Sequence, residues 1–270
     1  MRRATPLASG SEPGPDVPMK WRLALLPVAF LAVAQCAAAS EVRVRIGRAA
    51  AFDSGSLLYV EQHKETVAGT RVVSAKVLYE DEAGAQFAQK HVDFTADPFL
   101  PSFSFENART GHAEALDRTD LGVMARYRPS GDGEEVAVPV DVPPDAIGDA
   151  GFDRFIAAHW ESLLAGQAQV RPFLIPSRQA FVRFSIEVSA VEPDTVRFEM
   201  KPTSWLLSLV VPPLLVEYDR TARRLLKYEG LSNLRDAEGE PYLVRIRFTY
   251  PAKWARLKHT ESEGTDDVKG

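Results

Sequence analysis

Arg71-Val72-Val73-Ser74-Ala75-Lys76-Val77-Leu78-Tyr79 alternates along its length: Val73, Ala75, Val77 and Tyr79 fall on one side of an extended chain, Ser74, Lys76 and Leu78 on the other. Successive side chains of a β-strand point to opposite faces, so the stretch predicts a strand with one face buried and one mostly wet. Leu57–His63 precedes it across a loop containing Gly69, and Ala85–Phe94 follows across the turn Asp81-Glu82-Ala83-Gly84. Further runs at Ser102–Glu114, Gly122–Arg128 and Val136–Val140 extend the pattern, with Phe103 and Phe105 sharing a face and Gly131-Asp132-Gly133 marking a hairpin. Short strands joined by tight turns specify an antiparallel meander, not the parallel sheet that crossover helices build.

The strand pattern breaks once. Pro143-Pro144 ends the preceding strand, Asp149 is placed to cap a helix, and Phe152, Phe155, Ile156, Trp160, Leu163 and Leu164 follow at the spacing of one helical face, closed by Gly166. Asp145, Asp149 and Asp153 lie at or before the positive end of this helix, where carboxylates are favoured by roughly 0.3–1 kcal/mol each. Strands then resume at Pro172–Pro176, Ala180–Ser189, Thr195–Lys201, Leu206–Tyr218, Arg224–Glu229 and Tyr242–Tyr250. A sheet with one apolar face must cover it. The expected fold is therefore mainly β with one amphipathic helix (α+β), an antiparallel sheet curled as a half-barrel or barrel around the helix. Trp205–Val216, the most apolar stretch outside the N-terminal segment, reads as a buried strand bent at Pro212-Pro213, or as the apolar wall or lip of a ligand cavity.

The N-terminal segment has the grammar of export. Lys20 and Arg22 precede an apolar core from Leu23 to Ala34, and Ala37-Ala38-Ala39-Ser40 offers small residues for cleavage after Ala39. That core is shorter than the roughly 20 residues a membrane-spanning helix needs, and Pro27 interrupts it. The expected organisation is an extension over 1–18, a signal peptide over 19–39, one β-rich domain over 41–258 and a disordered polar tail over 259–270. The expected location is the periplasm or the exterior. Cys36 is the only cysteine; Gln35 before it disfavours lipid anchoring, and its removal with the signal leaves a chain that cannot form a disulfide and must rely on its core.

Charge narrows the partners. Loss of the first 39 residues removes Arg2, Arg3, Lys20, Arg22, Glu12 and Asp16, leaving 28 basic against 35 acidic side chains. A mildly acidic chain with dispersed basic residues is no partner for a phosphate backbone, so nucleic acid is not expected. The five histidines show no zinc spacing, the serines Ser54 and Ser56 lack a nucleophile elbow, and no dinucleotide or phosphate loop is present, so no catalytic residue, metal or cofactor is assigned. The nearest acid–base pair is His112 with Glu114, two apart on a strand and expected at the surface; His159, beside Trp160, reads as a partly buried histidine with a satisfied hydrogen bond.

Three segments stand out as constrained: Asp149-Ala150-Gly151-Phe152-Asp153-Arg154-Phe155, Ile175-Pro176-Ser177-Arg178, and Tyr228-Glu229-Gly230-Leu231-Ser232-Asn233. In these the chain resembles a group of uncharacterised bacterial exported proteins with a Gly-Phe-Asp-x-Phe helix start, a Pro-Ser-Arg segment and a Tyr-x-Gly-x-Ser-Asn turn. Its architecture also resembles the lipoprotein-carrier half-barrels of the bacterial periplasm, a likeness that implies shelter for an acyl chain in an apolar concavity. The candidate ligand-binding residues are Phe152, Phe155, Trp160, Arg178, Trp205, Leu206 and Leu209, with Leu206–Val211 as apolar lining. The expected partner is a lipid or a lipidated protein, with membrane contact only transient. An enzymatic alternative nominates His112, Glu114, Arg178 and Asp153, and requires at least two of them to meet in a polar cleft. An envelope scaffold would instead expose a large apolar patch.

Overall fold

A computed structural model describes residues 41–251, except Leu121 and Ala237. The export segment, the extension before it and the polar tail lie outside the described residues. The first half of the chain folds into eight strands, β1 (Glu41–Ala51), β2 (Leu57–Ala68), β3 (Arg71–Glu80), β4 (Gln86–Asp93), β5 (Ser102–Asn107), β6 (Ala113–Thr119), β7 (Gly122–Arg128) and β8 (Val136–Pro139). Helices α1 (Phe152–Ala158) and α2 (Trp160–Leu164) follow. The second half supplies β9 (Gln169–Ile175), β10 (Ala180–Val191), β11 (Thr195–Pro202), a one-turn α3 (Trp205–Ser208), β12 (Leu214–Asp219), β13 (Leu225–Arg235) and β14 (Pro241–Thr249).

The strands form one 14-stranded antiparallel sheet in which every hairpin pairs with the next and β14 returns to pair with β1, leaving β8 and β9 as the two edges. Register shifts at Ala49/Ala50, Thr66/Val67, Tyr79/Glu80, Val188/Ala190 and Leu231/Arg235 bend the strands. The curled sheet brings its edges near each other without strand pairing: Gln179 Nε2, between β9 and β10, donates to the carbonyls of Ala125 and Val136 on the opposite edge. The architecture is the half-barrel expected from the alternating runs.

The helices close one end. Phe155, Ile156, Trp160 and Leu163 are buried against the inner face, Trp160 packing edge-on to Phe198 and Tyr218. Burial of each such side chain contributes roughly 1.5–3 kcal/mol. Gly151 allows the close approach: a Cβ there would sit 2.0 Å from the Phe99 carbonyl oxygen. The single expected helix is broken at His159, whose ring stacks on Phe155 and whose Nδ1 lies 3.0 Å from the Phe155 carbonyl. Asp149 does not cap it: the cap position of α1 is Gly151, without a side-chain hydrogen bond, and Asp149 opens the 3-10 turn Asp149–Gly151 before it with its carboxylate on Lys90.

Three strand expectations are corrected. Ser102–Glu114 is two strands, because Asn107 turns the chain through its own side chain and Gly111 adopts φ +75. Leu206–Tyr218 is a strand only from Leu214; Pro212 and Pro213 have no N–H to give a ladder, and the residues before them form α3 and an exposed loop. The Tyr228–Asn233 segment is no turn but part of β13.

Candidate functional site

Because the sheet is a meander, its connections alternate between two ends. The helices block one, where the loop carrying Phe99 and the turn carrying Arg223 meet α1 and α2. The other carries the connections 52–56, 81–85, 108–112, 129–135, 176–179, 203–213 and 236–240. Between the ends lies a cavity of about 370 Å3 that reaches the second end through Pro176, Val211, Pro212, Leu231, Arg235 and Pro241. Its size falls in the roughly 300–1,000 Å3 range of small-molecule sites.

One wall is apolar: Phe173, Phe184, Met200, Val216, Ile246 and Phe248 from β9 to β14. The other is charged and comes from β1 to β4, where inward positions of the strands carry ionic groups. In β2 the phase set by the buried Tyr59 and Val67 places Glu61, His63 and Glu65 inside. A cross-strand row runs Arg45, His63, Val77, Lys90, Phe105, Glu114 over β1 to β6.

The helix start completes this wall. Arg45 Nη1 bonds Asp153 Oδ2 at 2.9 Å, Tyr218 donates its hydroxyl to Asp153 Oδ1 at 2.9 Å, and Arg154 Nη2 bridges Asp153 and Glu65. Burial alone would raise the Asp153 pKa, but Arg45 and Arg154 outweigh it and hold the carboxyl below its ordinary range. Four residues earlier, Asp149 Oδ2 meets Lys90 Nζ at 2.5 Å, and the Lys90 charge keeps Asp149 ionised. The pair is asymmetric: Lys90 is 8% exposed, whereas Asp149, though deep within the fold, presents 56% of its side chain to the open cavity. His63 Nε2 lies 2.6 Å from Glu61 Oε2, yet burial and then the Arg45 charge lower its pKa, so the ring is neutral at neutral pH. Tyr59 shares a hydrogen bond with Ser232, and Asn233 Nδ2 donates to the Tyr79 hydroxyl.

All three constrained segments meet here: Phe152, Asp153 and Arg154, then Ile175 to Ser177, then Tyr228 and Leu231 to Asn233 line one cavity. Of the candidate ligand-binding residues, Phe152 lines it, while Phe155 and Trp160 are buried in the packed end beneath. Arg178 is exposed and lies outside the lining. Trp205, Leu206 and Leu209 are also outside: Trp205 is 71% and Leu209 73% exposed, and the wall is made instead by Val211, Pro212 and Leu214 from the same stretch. Together with Phe52, Val210, Leu231 and Leu243 they make the rim of the open end strongly apolar.

His112 and Glu114 are not at the surface. Nε2 and Oε1 are 3.2 Å apart, His112 is 0% exposed between the rings of Phe105 and Tyr127, and only Glu114 reaches the cavity. The pair meets, but between aromatic rings and not in the polar cleft that the enzymatic alternative requires, and Arg178 is not among the cavity's lining residues. Asp153 has both oxygens committed to fixed partners. Neither His112 nor Asp153 therefore presents a free base to the cavity.

Sequence reasoning missed Arg45, Glu61, His63, Glu65 and Lys90, and reached Tyr228 only as part of a constrained segment. A signal was present for Lys90, which lies between Ala88 and Val92; Glu61, His63 and Glu65 are one another's second neighbours and Arg45 follows Arg43 by two, so alternation alone reads those faces as wet. No protein-family model, curated protein or solved structure matches this chain.

Proposed function

We propose that this protein is a non-enzymatic, exported binding protein that shelters a lipid-like amphiphile, or the acyl group of a lipidated partner, in its half-barrel. The observation that carries the reading is the two-sided cavity: one apolar wall, one charged wall and an apolar rim at its open end. An aliphatic chain gains roughly 0.8 kcal/mol for each methylene it buries, and a polar head can remain against the ion-paired wall. The export pattern at Met19–Ala39 supports a periplasmic or secreted setting, in which such a ligand needs shelter from water.

Two measurements test this. N-phenyl-1-naphthylamine, whose fluorescence rises in apolar surroundings, is titrated into the mature protein; saturable enhancement that falls at least 5-fold in a cavity-filling Val216→Trp variant is expected. Native mass spectrometry of protein purified from a membrane-containing host is expected to show a co-purifying lipid-sized adduct. Absence of both the adduct and saturable enhancement overturns the reading. N-terminal sequencing of the exported product is expected to begin at Ser40; retention of the 19–39 segment overturns the export assignment.

A further inference from the structure

The charged wall is nearly, but not wholly, self-neutralising. Arg45 answers Asp153, Arg154 answers Glu65 and Lys90 answers Asp149. Arg235, at the rim, gives Nη1 to the Gly239 carbonyl. Two carboxylates remain, Glu61 and Glu114, with side chains only 8% and 9% exposed, and each has a histidine as its partner instead of a permanent cation. Burying an ionised carboxylate costs several kcal/mol unless an opposite charge meets it. His63, neutral at neutral pH, gives Glu61 a hydrogen bond but no charge.

Asp149 adds to the negative side: both it and Lys90 line the cavity, but the carboxylate is 56% exposed and its Lys90 partner only 8%. Tyr79 and Tyr228 also line the space. Their phenols feel the resulting field: after burial itself, Glu61 and Asp149 raise the pKa of Tyr79, and Asp149 and Glu61 raise that of Tyr228. Aromatic faces attract cations, by about 0.5–2 kcal/mol depending on desolvation.

We infer that the cavity selects an amphiphile with a cationic, amine-type head, received by Glu61 and Asp149 beside Tyr79 and Tyr228, over one with a carboxylate head. The inference rests on the reading of the cavity as a lipid-like binding site. A cation there supplies the charge that Glu61 lacks and adds no new buried anion, whereas a fatty-acid carboxylate would face two fixed carboxylates across a low-dielectric space.

The test uses three probes with the same twelve-carbon chain: dodecylammonium, dodecanol and laurate, each displacing N-phenyl-1-naphthylamine from the mature protein at pH 7.5. Dodecylammonium is expected to displace at a concentration at least 10-fold below that of laurate, with dodecanol between. Glu61→Gln is expected to shrink that ratio at least 3-fold. Asp149→Asn, whose half-exposed side chain keeps an amide oxygen for Lys90 Nζ, is expected to shrink it similarly and serves if Glu61→Gln does not fold. Laurate displacing as well as dodecylammonium, or a ratio unchanged in Asp149→Asn, overturns the inference while leaving the cavity a binding site. Failure of all three probes to displace overturns the underlying reading as well.

Discussion

Arg45 on β1 grips Asp153 on α1 at 2.9 Å, and Tyr218 on β12 holds the other carboxylate oxygen, so one aspartate ties the helix start to both halves of the sheet. Asp153→Ala leaves Arg45 facing a cavity without its partner. Removing one member of a fully buried pair costs about 3–5 kcal/mol; with the two side chains 16% and 23% exposed, about 2–4 kcal/mol is expected. Urea unfolding with an unchanged m-value checks it, and a loss under about 1 kcal/mol contradicts the assigned role.

Gly151 lies against backbone, not against a side chain that could turn aside. Gly151→Ala would place its Cβ 2.0 Å from the Phe99 carbonyl oxygen, so α1 must move away from the loop. A loss of about 2–3 kcal/mol is expected, near the upper end of overpacking costs, which lowers Tm by roughly 4–12 °C in a domain of this size. Gly148→Ala meets only Leu100 Cδ1 at 3.1 Å and is expected to cost less. Equal effects from the two substitutions would show that the close approach is not what requires glycine.

Two tryptophans separate packing from the rim. Trp160→Ala empties a site that is 2% exposed and is expected to cost about 3–5 kcal/mol. Trp205→Ser, at 71% exposure, is expected to change stability by less than about 0.5 kcal/mol while weakening uptake of the apolar probe. A large Tm loss in Trp205→Ser would place that ring in the core.

Stability should fall on acidification in two steps. His63 has its pKa lowered in the folded state, so as pH drops below about 6.5 the unfolded chain takes up a proton that the native protein refuses, and stability declines until the lowered pKa is passed. Asp149 and Asp153 have lowered values too, so their contribution is present above the ordinary carboxylate pKa and is lost as pH falls through their folded values. His63→Gln is expected to remove the first step alone. Denaturation midpoints from pH 8 to pH 3 check this; an unaltered slope between pH 6.5 and 5 in the variant contradicts it.

The alternation in Arg71–Tyr79 and its neighbours carried the fold because the period-2 pattern is local: each residue's side is set by the residue before it. The helix was legible for the same reason, as Phe152, Phe155, Ile156 and Trp160 repeat at a local period, although the break at His159 was not. Trp205–Val216 misled only as a buried strand, because hydrophobicity reports that a segment avoids water, not where the chain puts it; Pro212-Pro213 and the span between β11 and β12 leave Trp205 and Leu209 exposed, while Val211, Pro212 and Leu214 line the cavity.

The meeting of distant charges arises only on folding. Arg45 and Asp153 are 108 residues apart, and Lys90 and Asp149 are 59 apart. Each alone in the sequence is one more charged residue in a chain rich in them; a polar side chain at an inward strand position becomes a site only when curling brings its counter-charge across the interior. Local periodicity was enough to specify an alternating sheet and a helix to cover it. The curling of that open sheet, through bulges and with β1 joined to β14 at its middle, decided that the covered space would be a cavity with one oily wall and one charged one.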